Sequence, residues 1–407
     1  MHPPLLHDVA ILLVSGLSLL AIAFGRVPRA RLDRGAVAVV GATVVMLIRG
    51  QGASGLWHTI DGTVLLLLFG VMVVNAALAD AGAFRFLAFA TASGRSMPAT
   101  FLVAIVAVAG FLSALFLNDT VALMLTPLVI NLTRRLGVPP VPYLLALAMS
   151  ANAGSVATLT GNPQNVVVGL AAGIGYGRFA AALAPVAALA LVAVTAVILT
   201  LFRKQLEAPP GPRPAAVRPA LKRGRVVVTG AIAAGMVAAF VAGMPPADAA
   251  LAAAALTLLT APRRAGSYLA NVDFKLLVLF AGLFVIVAAL AGTPAATSML
   301  AWARHSGPVG LTAIVAVASN LLSNVPAVMV LLPLARSGGS GPHTALLLAM
   351  ASTLAGNLTL VGSVANLIVA ESARRLGVEV DFVSYARVGI PVTLLTLALG
   401  LAWLTWA

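Results

Sequence analysis

The sequence predicts an all-α, polytopic membrane protein made of two inverted repeats, with about ten transmembrane helices plus two re-entrant hairpins. Three observations carry that expectation. Of the 407 residues, 61% are hydrophobic and 9% are charged, with a mean hydropathy of +1.06; a soluble domain carries roughly 25% charged residues. The apolar residues fall in runs of about 15–25, enough for a helix to cross about 30 Å of hydrocarbon, and the strict alternation of a membrane barrel is absent. Finally, one polar pattern occurs twice. FLNDTVALMLTP (Phe116 to Pro127) is echoed by LLSNVPAVMVLLP (Leu321 to Pro333), with Asn118 and Asn324 at a spacing of 206. ANAGSVATLTGNPQN (Ala151 to Asn165) is echoed by STLAGNLTLVGSVAN (Ser352 to Asn366) at a spacing of 201.

Taken in order, the candidate spans of the first half are Leu5–Phe24, Gly35–Ile48, Asp61–Ala79, Val141–Ala172 and Phe179–Phe202. Those of the second are Val226–Gly243, Ala247–Thr260, Phe274–Ala291, Thr344–Glu371 and Tyr385–Trp406. Pro98–Leu136 and Pro308–Ala335 are too long for one helix and are broken by a polar cluster, so each reads as a hairpin that enters and leaves on one side. Ala83–Gly94 and Pro294–His305 read as short amphipathic helices along the two membrane surfaces. The domain division that follows is 1–202 for the first repeat, 203–225 for a basic, Pro-rich linker (Pro209, Pro210, Pro212, Pro214, Pro219), and 226–407 for the second repeat.

The net charge of +14 comes largely from Arg residues in short loops, which is the positive-inside signal and an attraction to anionic lipid rather than a nucleic-acid surface. The linker is thereby cytoplasmic, as are Arg26, Arg29, Arg31, Arg34, Arg85, Arg95, Arg134, Arg135, Arg263, Arg264, Arg374 and Arg375. Met244–Asp248 falls outside, as do both termini, with Arg49, Arg178, Arg304 and Arg336 as isolated exceptions. The first hairpin then opens from the cytoplasm and the second from outside, so charge placement makes the repeats inverted independently of their motifs. The expected location is the bacterial inner (plasma) membrane. The expected partners are membrane lipid and a small inorganic solute, with a homodimer as the candidate assembly and no nucleic acid.

Chemistry is carried by the four polar clusters. A hairpin turning at Asn118-Asp119-Thr120, or at Ser323-Asn324-Val325, leaves helix-end N–H and C=O groups unpaired at mid-depth, where they can hold an anion or a cation. Gly161 and Gly362 permit unwinding of the second clusters, and Pro163 prevents normal helical bonding in the first. The candidate binding residues are Asn118, Asp119, Thr120, Gly161, Asn162, Asn165, Ser323, Asn324, Gly362, Ser363 and Asn366. Asp119 is the only acid between Asp80 and Glu207, which makes it the candidate carrier of a coupling proton or cation; the alternative is a carboxylate permanently bonded to hairpin N–H groups. Glu371 lies three residues before Arg374 and reads as an interfacial salt bridge. Asn152, Ser155, Thr158, Asn357 and Thr359 either line the site or bond helices together.

The absence of Cys excludes disulfides and thiolate-held metals. His2, His7, His58, His305 and His343 form no metal-ligand spacing, and no Walker motif or nucleophile–base pair is present. ATP-driven transport and enzymatic chemistry therefore lack support, no cofactor is expected beyond H+ or Na+ as coupling ion, and no metal beyond sodium.

At these motifs the chain resembles the ion-transporter superfamily of arsenite permeases, citrate and dicarboxylate carriers and sodium/proton antiporters. LFLNDTVALMLTP resembles its first hairpin and TLTGNPQN its unwound helix; ASNLLSNVPAVMVLLP and AGNLTLVGSVAN occupy the matching places of the second repeat. Dicarboxylate carriers have Ser-Asn-Thr at both tips, whereas this chain has Leu117, Asp119 and Val325 at three of those positions. Asn-Asp at the tip is more similar to the arsenite permeases. The resemblance implies secondary active transport of a small inorganic ion or oxyanion, arsenite- or antimonite-like, coupled to protons or sodium. An organic or inorganic anion permease and a sodium/proton antiporter are the alternatives within that class, with a membrane-embedded enzyme or a channel outside it.

Overall fold

The structure is a computed structural model that describes residues 4–24, 26–27, 32–83, 86, 97–207, 222–336 and 341–406. Most of the proposed Ala83–Gly94 surface helix and of the linker, including its five prolines, lies outside the described residues, as do Arg29, Arg31, Arg85 and Arg95. The fold is helical, with one two-residue antiparallel pair (β1, Arg26–Val27; β2, Leu32–Asp33). Among the described residues seven helices are long and apolar enough to cross a membrane.

The first half runs α1 (Pro4–Phe24), α2 (Arg34–Arg49), α3 (Gly62–Ala81), α4 (Pro98–Leu115), α5 (Asn118–Leu136), α6 (Val141–Ser155), α7 (Pro163–Ala171) and α8 (Tyr176–Leu201). The second runs α9 (Arg223–Val241), α10 (Pro246–Thr260), α11 (Phe274–Ala291), α12 (Pro294–His305), α13 (Gly307–Leu322), α14 (Asn324–Leu331), α15 (Gly341–Ala355), α16 (Val364–Arg375) and α17 (Phe382–Trp406). Of the two long stretches predicted as hairpins, the first is two helices broken at Phe116–Leu117 and the second is broken at Ser323 and again at Leu332, before a short helix over Pro333–Arg336; the two longest predicted spans are each broken, into α6–α7 and α15–α16.

Local chemistry sets these boundaries. Asp33, Asp61 and Asp273 cap α2, α3 and α11 by accepting from Ala36 N, from Thr63 and Val64 N, and from Leu276 N. Gly50, Gly82 and Gly137 end α2, α3 and α5 in the left-handed conformation.

Packing separates the helices into two groups. In one, α2 lies on α11 and α3 on α10, with α1 against α2 and α9 against α10 and α3. In the other, α4 packs on α6, α13 on α15, α5 on α16, α14 on α7, and α8 on α17. Each contact between the halves is thus returned by its counterpart. The first group is closed by two close approaches at matching places: a Cβ on Gly70 would come within 2.6 Å of the Ala250 backbone, and one on Gly282 within 2.7 Å of the Ala38 backbone. Only glycine allows helices that near.

Ends distant in sequence meet in the fold. Asp80, at the end of α3, binds Lys222, Arg225 and Arg264 at 3.2, 2.6 and 2.6 Å, and Arg134 donates to the Leu376 carbonyl. At the other ends of the helices, His7 Nε2 lies 3.1 Å from the Ile48 carbonyl and His343 Nε2 lies 2.9 Å from that of Leu404.

Candidate functional site

Four helices begin at one place. The N-termini of α5 (Asn118), α7 (Pro163), α14 (Asn324) and α16 (Val364) all border a cavity of about 280 Å³. Each is the first turn after a break, so each presents N–H groups that no preceding turn accepts. Some of these are satisfied locally: Asn118 Oδ1 accepts from Asp119 N at 3.0 Å and Asn162 Oδ1 from Asn165 N at 2.9 Å. The sum of four dipoles still gives the wall a positive character.

The structure divides the sequence-predicted residues into two sets. Asn118, Asp119, Ser323, Asn324 and Ser363 line this cavity, and Thr120 lines the adjoining one. Gly161, Asn162, Asn165, Gly362 and Asn366 stand behind the wall and hold its shape. Asn165 Nδ2 donates to the carbonyls of Ser155 and Thr158, both at 2.9 Å. Asn366 Nδ2 does the same with Gly356 and Thr359, at 2.8 and 3.2 Å. In both repeats the acceptors lie ten and seven residues before the Asn, so the same device fixes both unwound segments. Gly161 and Gly362 are needed for closeness, since a Cβ would meet the Ser155 carbonyl at 2.3 Å or Asn320 Oδ1 at 2.7 Å.

The residues left between site and packing roles prove to be bonding groups. Asn152 is the hub: its Oδ1 accepts from Asn118 and from Ser363, each at 3.0 Å, and its Nδ2 donates to Asn357 at 2.9 Å and Asn366 at 3.0 Å. One buried amide on α6 thereby ties the first hairpin tip to the unwound segment of the second half. With its nitrogen facing acceptors, Asn324 donates to the Ser352 and Gly362 carbonyls at 3.2 Å, which fixes the second tip in the same manner.

The tips are unequal. Leu117 joins α4 to α5 through ordinary extended backbone, whereas its counterpart Ser323 has φ 73° and ψ 156°, the only non-glycine with positive φ among the described residues. That region is open to glycine and costs other residues on the order of 1–3 kcal/mol. Strain is therefore concentrated at one cavity-lining turn.

Sequence reasoning missed the opposite wall. Asp33 and Arg34 at the start of α2, and Asp273 and Lys275 at the start of α11, line the cavity across from the hairpin tips. In the sequence Arg34 reads as one more charge of a cytoplasmic loop, and Asp273 and Lys275 sit at a span boundary where charge is ordinary. Lys275 binds Asp33 at 2.8 Å, and this hydrogen bond, with that from Ala36 N, holds the Asp33 carboxyl below the usual carboxylate range. Gln164, also on the wall, donates to Thr353 Oγ1 at 3.2 Å. Glu371 binds Arg374 and Arg375 at 2.9 and 3.0 Å at the end of α16, away from the cavity.

A second cavity of about 710 Å³ meets the first at Asp119, Asp273, Pro163, Leu276 and Val364, and runs toward Asp80 and Tyr268. Its wall contains Asn75, a buried amide that hydrogen-bonds to no side chain or backbone group among the described residues.

Comparison with known proteins gives concordant findings. The chain matches the family model described as "Citrate transporter" over residues 19–336. It is 30% identical over 404 residues to an uncharacterized transporter of Mycobacterium tuberculosis, covering 92% of this chain and 94% of that one. It is 29% identical over 457 residues to the silicon efflux transporter of Oryza sativa subsp. japonica, covering 93% of each. Among solved structures, the YdaH transporter of Alcanivorax borkumensis matches with a TM-score of 0.58 and 18% identity, over 100% of this chain and 98% of that one, a likeness of fold.

Proposed function

The chain belongs to the citrate transporter family, and from that premise we propose that it is a secondary active transporter of a small oxyacid or oxyanion, coupled to protons or sodium. The observation that carries this reading is the convergence of four helix N-termini and Arg34 on one cavity of about 280 Å³. Helix N-termini and a guanidinium together favour a ligand that presents oxygen atoms carrying negative charge. A similar relative is named a silicon efflux transporter, which fits a small hydroxylated solute.

Citrate itself, which the family description names, suits this wall less well. Asp33, Asp119 and Asp273 face the same space, and a tricarboxylate would bring its charges against theirs.

Alternating access follows from the two helix groups. Both cavities lie toward the ends that carry the Asp80 cluster and the Asp33–Lys275 pair, which the charge rule places in the cytoplasm of a bacterial cell. This conformation is then inward-facing, and movement of the hairpin-bearing group against the α1–α3 and α9–α11 group opens the site to the other side. Asp119 stands where the two cavities meet and carries the coupling ion.

The test is flux into proteoliposomes of purified protein, screened over arsenite, silicate, phosphate, citrate and sodium under imposed pH and sodium gradients. Saturable flux of one of the small oxyacids or oxyanions of the screen, phosphate included, driven by either gradient is expected. Flux confined to citrate would replace this reading with the tricarboxylate one.

A further inference from the structure

The charged groups of the smaller cavity do not pair off completely. Five line it: Asp33, Arg34, Asp119, Asp273 and Lys275. Lys275 is bound to Asp33, and Asp273 caps α11 through Leu276 N at 3.0 Å. Arg34 and Asp119 remain. Neither side chain forms a hydrogen bond or an ion pair within 4.0 Å with any described residue, although both line the same cavity. Arg34 belongs to the α1–α3 group and Asp119 to the hairpin tip, so the pair also faces across the boundary between the two groups.

We propose that Arg34 is the anion-holding residue of this cavity, and that Asp119 and the transported anion compete for its guanidinium. The inference rests on the transporter reading and deepens it by naming the solute as a singly charged oxyanion. With Asp119 ionised, its charge neutralises Arg34, and Asp273 adds repulsion, so an anion is turned away. A proton on Asp119 leaves Arg34 and the four helix N-termini without a counter-charge, and a small oxyanion takes that place. One proton then loads with one negative charge, and both leave together when Asp119 gives up its proton to water.

The other charged or titratable groups near Asp119 do not supply this behaviour. Asp33 and Lys275 are bound to each other, and Asp80 in the adjoining cavity is held by three basic side chains. Tyr268 lines that cavity together with Asp80. On the helices packed against α5, Tyr143 of α6 bonds to the Pro98 carbonyl, and Glu371, Arg374 and Arg375 form their own cluster at the far end of α16.

The experiment is equilibrium binding of perrhenate and nitrate to the purified full-length protein at about pH 5.5 and pH 8.5; both probes keep one negative charge throughout, so any pH dependence belongs to the protein. Wild type is expected to bind at least about tenfold more tightly at the lower pH. Asp119→Asn should bind equally at both, near the tighter value. Arg34→Gln should weaken binding by about thirtyfold or more, and Arg34→Lys, which keeps the charge, should fall between. Unchanged affinity in Arg34→Gln, wild-type pH dependence in Asp119→Asn, or no binding of either probe to wild type would each overturn the proposal. If citrate displaces the probes with the same dependence on Arg34, the oxyanion reading fails while the role of Arg34 stands.

Discussion

Asn162 of the first half donates through Nδ2 to Thr353 Oγ1 of the second at 3.0 Å, and the sequence counterparts of these two residues, Ser363 and Asn152, return the bond at the same distance. Each unwound segment is thus held by the other repeat and not only by its own. The cavity between the tips keeps its shape through bonds that cross the pseudo-symmetry boundary.

The first prediction concerns that pair. Thr353→Val keeps the shape and removes the acceptor shared by Asn162 and Gln164, and should lower stability by about 1 kcal/mol, the scale of buried interhelical bonds in membranes. Asn152→Leu removes four bonds and should cost roughly three times as much. Thermal unfolding in detergent reads both.

Asp119→Asn should abolish transport driven by a pH gradient while the protein stays folded, because the amide cannot take up and release a proton. Flux in proteoliposomes with and without the gradient measures this. Wild-type coupling in the variant would remove Asp119 from the coupling role.

Asn75→Leu should slow transport. Its amide lines the larger cavity, and the change takes a polar group from a wall along which an ion would have to pass. Flux in proteoliposomes measures this, and a wild-type rate in a folded variant would remove Asn75 from the route of the coupling ion.

Ser323→Gly should stabilise the protein by about 1 kcal/mol, since glycine occupies the backbone conformation at φ 73° without a steric cost. The matching change at Leu117, where the backbone is unstrained, should destabilise. The difference in sign between two equivalent positions is the measurement.

Much of this fold was legible because hydrocarbon is an undemanding solvent to read against. Long apolar runs had to be helices, and polar clusters inside them had to be breaks, so the interruptions of all four long stretches could be placed by residue. Which polar residue faces the cavity was not legible. Asn118 and Asn165 look alike in sequence, yet one lines the wall and the other bonds loop carbonyls, because orientation at a helix break depends on backbone path and not on residue type. Arg34, Asp273 and Lys275 were invisible for another reason. They sit at span ends, where interfacial charge is the rule, and only the packing of α2 against α11 brings them to the cavity.

The paired Gly70–Ala250 and Gly282–Ala38 approaches bear on how the chain acquires its structure. Neither half can complete the α1–α3 and α9–α11 group alone, since the third helix of each needs the second helix of the other. That group is therefore complete only when both halves are present. A gene cut within the linker and expressed as two polypeptides should give working protein only when both pieces are present in one membrane. The two halves are interlocked parts of a single object, although each reads as a complete motif set.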